Sequence, residues 1–73
     1  MNYFVIEIQV LENGTVGNQV WAFNNLSEAE SKYHATLSLA AVSGLPVHTV
    51  LIINEEGYTI RAQTYNKTEE YPE

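Results

Sequence analysis

The chain has 73 residues, enough for one small domain, and 45% of them are hydrophobic, too many for a disordered tail. Nine Glu and no Asp stand against Lys32, Arg61 and Lys67, for a net charge of −6, and there is no Cys. This balance excludes a disulfide scaffold and a thiolate metal site, and it argues against nucleic-acid binding and docking on anionic membranes, which both need basic patches.

Residues 3–11 alternate for most of their length. Phe4, Ile6, Ile8 and Val10 fall on one side, and Tyr3, Val5, Glu7 and Gln9 on the other, the period of a half-buried strand. Asn13-Gly14 and Gly17-Asn18 supply residues that tolerate positive φ, so a wide turn is expected before a second strand from Gln19 to Phe23. Trp21 and Phe23 share one side of that strand and are read as core or as cover for the end of the sheet.

Ser27-Glu28-Ala29-Glu30 matches a capping box and predicts a helix from about Glu28 to about Ser43, with Gly44 in the C′ position and Pro46 preventing continuation. Leu26, Ala29, Tyr33, Leu37, Ala40 and Ala41 form its packing stripe. Val47 to Ile53 is β-branched and almost wholly apolar, as suits a central strand. Asn54-Glu55-Glu56-Gly57 reads as a tight turn into an alternating strand from Tyr58 to Tyr65.

The expected fold is α+β, in the order β-β-α-β-β. One helix packs on a four-stranded, mostly antiparallel sheet of strand order 2-1-3-4, because the two most apolar strands should be central and the helical crossover right-handed. Residues 1–66 form the expected domain, and 67–73 an acidic, flexible tail. No apolar run approaches the ~20 residues of a membrane span, and no basic segment precedes an apolar stretch with a cleavage site.

The back of the helix is short of charge. Ala35, Ser38, Leu39 and Val42 are expected to carry self-association, since small residues let two helices approach closely. The open sheet face is expected to carry Tyr3, Val5, Glu7, Gln9, Arg61, Gln63 and Tyr65, with Tyr3, Gln9, Arg61 and Tyr65 meeting a partner protein.

Chemistry has little support. His34 and His48 are the only histidines and lie on different elements, so a joint site would need the fold to bring them together beside carboxylates or Tyr33. No metal-ligand spacing, nucleophile elbow or phosphate-binding glycine loop is present. The expectation is a protein without catalytic residues, metal or cofactor, whose partners are its own copy and another protein. An acidic inhibitor or nucleic-acid mimic acting on a host factor is the alternative, on the strength of Glu55-Glu56 and Glu69-Glu70.

The run Ala29-Glu30-Ser31-Lys32-Tyr33-His34, with Ala40-Ala41-Val42-Ser43, Pro46-Val47-His48 and the opening Tyr3-Phe4-Val5-Ile6-Glu7-Ile8-Gln9, resembles a group of short uncharacterised proteins of gut Firmicutes and their prophages. The resemblance covers nearly the whole chain. It implies a cytoplasmic product, bacterial or phage-encoded, and carries no activity or catalytic residue with it.

Overall fold

A computed structural model describes residues 1–67. The elements are β1 (Tyr3–Val10), β2 (Val16–Phe23), α1 (Leu26–Ala41), β3 (Val47–Asn54) and β4 (Thr59–Asn66). They form one four-stranded sheet of order β2-β1-β3-β4, with every neighbouring pair antiparallel. This is the expected α+β order. β2 and β3 run parallel to each other with β1 between them, so α1 is the crossover of a split β-α-β unit.

Both hairpins use the same turn. Leu11 N–H donates to the Thr15 carbonyl and Gly14 N–H to the Leu11 carbonyl, each at 2.9 Å. Asn54 and Tyr58 repeat the first bond at 3.0 Å, and Gly57 and Asn54 the second at 2.9 Å. Gly14 and Gly57 have φ of 87° and 91°, the left-handed position that closes a three-residue loop. The first turn is therefore tight where a wide one was expected. Gly17 and Asn18 lie inside β2, opposite Gln9 and Ile8, because the single left-handed residue needed to reverse the chain is already supplied at Gly14.

The helix starts and stops two residues before the expected limits. Asn25, not Ser27, is the N-cap: its Oδ1 accepts from Glu28 N–H at 2.8 Å. Asn25-Leu26-Ser27-Glu28 has the same cap-to-acid spacing as Ser27-Glu28-Ala29-Glu30, and the earlier register puts Ala29, Tyr33 and Ala40 over the sheet. Asn25→Ala should therefore cost about 1 kcal/mol, and Ser27→Ala no more than about 0.5 kcal/mol, read as shifts in urea midpoint. Equal shifts would count against the Asn25 cap.

At the other end Val42 is the C-cap, and Gly44 does not adopt the expected left-handed conformation. The last carbonyls are met by a cation instead. Lys67 Nζ donates to Ala40 O at 3.4 Å, to Ala41 O at 3.3 Å and to Ser43 O, where it also favours the negative end of the helix dipole. Lys67 N–H bonds Pro46 O at 2.7 Å, so the start of the expected tail is anchored. The rest of that tail lies outside the described residues.

The core is small: Val5, Val50 and Ile52 from the sheet meet Ala29, Tyr33 and Ala40 from the helix. Tyr3, Trp21, Phe23, Leu37 and Tyr65 pack around it. Thr36 is also buried, whereas Ala41, expected in the packing stripe, is exposed.

Candidate functional site

Strand pairing decides which side chains share a face, because residues directly opposite one another point the same way. Val5 lies opposite Ile52 and Trp21, and Glu7 opposite Val50 and Gln19. Val5, Val50 and Ile52 touch the helix, so the whole row of Tyr3, Val5, Glu7 and Gln9 lies on the helix-covered side. In the same way, His48 opposite Tyr65 and Ile52 opposite Arg61 bring Tyr65 and Arg61 to that side. This corrects the expected placement of Tyr3, Gln9, Arg61 and Tyr65, which are not on the open face.

The open face carries the other row of each strand. It holds Phe4, Ile6, Ile8 and Val10 from β1, flanked by Val47, Thr49, Leu51 and Ile53 from β3. On the outer strands it continues through Val16, Asn18, Val20 and Ala22 and through Thr59, Ala62, Thr64 and Asn66. No ionisable residue falls on this face within the paired registers. Its outer residues are open to solvent, Val16 at 58% and Val20 at 57%. The central Thr49 and Thr64 hydroxyls bond each other at 2.9 Å, so the polar atoms in the middle of the face are already paired. A bulge between Ile52 and Ile53 interrupts the register at the start of β4 and leaves Ile60 exposed.

The covered side holds the polar chemistry. His48 is only 3% exposed, and its Nε2 lies 2.6 Å from Glu7 Oε2, where the carboxylate accepts from the ring N–H. Gln9 Nε2 donates to the same oxygen at 3.2 Å. His48 Nδ1 is buried without a hydrogen-bond partner among the described residues. His34 does not join this group. It is exposed on α1, with its ring 5.2 Å from Tyr33 in an edge-on contact. Among the described residues no group of three or more His, Cys, Asp or Glu is placed to hold a metal ion.

All three basic residues tie the sheet to the helix. Lys32 Nζ sits 4.3 Å from the centre of the Trp21 ring on β2. Arg61 Nε on β4 donates to Glu30 Oε2 on α1 at 2.9 Å. Lys67 holds the helix C-terminus as described. The cations clamp both flanks and the end of α1, and none forms part of a basic patch. The four helix-back residues Ala35, Ser38, Leu39 and Val42 are exposed, Val42 at 82%.

Compared with known proteins, the chain matches no family model, no curated protein and no solved structure. No helix among the described residues is long and apolar enough to cross a membrane. The functional reading therefore rests on this geometry. Sequence patterning separated the two rows of β1, β2 and β3, but on β4 the bulge sends Thr59 to the face opposite Arg61, and periodicity did not show which row the helix covers.

Proposed function

We propose that the chain is a non-catalytic, self-associating protein-interaction module, with the open sheet face as its principal contact between copies. The observation that carries this reading is the absence of ionisable side chains from that face. A solvated antiparallel face ordinarily carries charged residues, and a largely apolar, uncharged patch of this extent is the mark of a contact surface.

Area supports a second copy as the occupant. Four strands spaced ~4.8 Å apart and eight residues long at ~3.3 Å each give a face of roughly 500 Å². Two such faces, stacked ~10 Å apart about a two-fold axis, bury about 1,000 Å², the lower limit for a specific interface. The small core gives such pairing a stabilising role, since a domain of this size without disulfides gains much from oligomerisation. The helix back, with Leu39 and Val42, is a narrower surface available to the same copies or to another protein. The resemblance to short Firmicute and prophage proteins supports a cytoplasmic, bacterial or phage-encoded setting.

The alternative of an acidic nucleic-acid mimic has less support. Glu12 lies in the turn after Val10, while Glu55 and Glu56 lie in the turn after Asn54, at the opposite end of the sheet. These carboxylates do not line up along one face. Sedimentation at micromolar concentration tests the reading: a mass of at least twice 8.2 kDa is expected, little affected by salt. A monomer would overturn it.

A further inference from the structure

The proposal above uses a face of the sheet; the edge at β2 offers a second surface of a different kind. The Leu11–Thr15 bond sets the alternation of the first hairpin. In an antiparallel pair, bonded and non-bonded pairs alternate. Counting from Leu11–Thr15, the pairs at Gly17, Gln19, Trp21 and Phe23 exchange backbone bonds with β1. The N–H and C=O groups of Val16, Asn18, Val20 and Ala22 then point outward along the free edge of the sheet.

Edge strands are ordinarily protected by charge, proline, a bulge or brevity. β4 follows that rule, with Arg61 within it, the bulge at its start and Lys67 directly after it. β2 does not. Val16–Phe23 is eight residues long, contains neither a charged residue nor proline, and keeps an unbroken register with β1.

We infer that β2 pairs antiparallel with β2 of a second copy across a two-fold axis, joining two sheets into one of eight strands. The inference rests on the reading of the chain as self-associating, but not on the sheet face being the contact. Three observations favour a second copy over a foreign strand. The strand itself contains no charged residue with which to select a charged partner, the nearest cation being Lys32 over the Trp21 ring on the helix side. Two antiparallel copies of one strand are self-complementary about a two-fold axis. The joint is also continuous with the apolar face, because it sets Val16, Val20 and Ala22 of one copy beside those of the other. Sheets widened in this way stack on the same open face, for an assembly of four chains.

Hydrogen exchange by NMR on the wild-type chain decides the matter. With β2 paired, the amides of Asn18 and Val20 exchange as slowly as those of Gly17 and Gln19. A contact through the sheet face alone leaves an alternating pattern, with Asn18 and Val20 exchanging at least ~100-fold faster than their neighbours, and that pattern would overturn the inference. Asn18→Pro gives a second readout. It removes one outward N–H, keeps the β1 pairing and adds no charge. The expected result is a folded chain whose particle mass falls by half. A folded variant of unchanged mass also counts against the joint, and if the variant does not fold, the wild-type exchange pattern still decides. Failure of the sheet-face reading appears elsewhere: a charge placed in that face leaves the mass unchanged while Asn18 and Val20 stay protected.

Discussion

Leu51→Glu should dissociate the sheet-face contact while leaving the chain folded. Leu51 sits in the middle of the open face, opposite Ile6 on β1 and Ala62 on β4. In an isolated chain its side chain faces water, so a carboxylate there is solvated. In a stacked pair it meets a largely apolar surface that carries no cation. Burying an unpaired charge costs about 3–5 kcal/mol, which corresponds to a loss of at least ~100-fold in affinity. Sedimentation should show a smaller particle at concentrations where wild type is associated, and far-UV circular dichroism should be unchanged. Leu39→Glu on the helix back is the natural comparison. If it dissociates the particle and Leu51→Glu does not, the helix back is the contact and the sheet-face assignment is wrong.

The second large effect is on stability and lies beneath the helix. Glu7 is the only partner of the His48 ring nitrogens among the described residues, since Nδ1 has none. Glu7→Leu would leave both nitrogens buried and unsatisfied, at a cost of about 2–3 kcal/mol. In a domain of this size each kcal/mol moves the melting temperature by about 4–8 °C, so a fall of about 10–20 °C is expected. Glu7→Gln retains an acceptor oxygen for Nε2–H and should lose about 1 kcal/mol or less. The double variant Glu7→Leu with His48→Leu removes both polar partners and should recover most of the loss, because an apolar pair needs no hydrogen bonds. Thermal melts of the three variants at equal concentration check this. A Glu7→Leu chain as stable as wild type would show that the pair is not holding the structure.

Both experiments turn on one property of the fold, the side of each strand that the helix covers. The mixed row Tyr3, Val5, Glu7, Gln9 lies under the helix, and the wholly apolar row Phe4, Ile6, Ile8, Val10 lies away from it. The usual inference runs the other way, with the most apolar row toward the helix. That inference assumes water against the remaining face. β3 offered no correction, since His48, Val50 and Ile52 on one side and Val47, Leu51 and Ile53 on the other are nearly equal in hydrophobicity. A hint was present in the long polar side chains. Arg61 reaches Glu30 across the flank of the helix, and Glu7 and Gln9 are long enough to meet His48 beneath it. Pairwise distances of this kind, however, are not written in one-dimensional periodicity.

The caps show the same limit at smaller scale. The spacing that marks a helix start occurs at Asn25–Glu28 and again at Ser27–Glu30, and local chemistry alone ranks them about equally. Tertiary packing selects the first, because it sets Ala29, Tyr33 and Ala40 against Val5, Val50 and Ile52. Lys67 could not be anticipated as a helix cap. It lies 24 residues from Ser43, and only the return of β4 beside β3 brings its ammonium to those carbonyls.

Length, composition and charge bounded the protein at the outset: small, acidic, without cysteine, and with too few cations for a nucleic-acid surface. Alternation, the cap-to-acid spacing and Pro46 were sufficient for the element order, and the apolar weight of residues 3–10 and 47–53 for the strand order, because these signals are local or additive along the chain. The tertiary structure alone decided where each charge and each apolar row ends. It placed all three cations in contacts that hold the helix, and it left an uncharged face of the sheet open. Those outcomes depend on strand register and helix placement together. A one-residue shift in a strand's register would move its whole side-chain row to the other face, and no single stretch of sequence encodes which face the helix then covers.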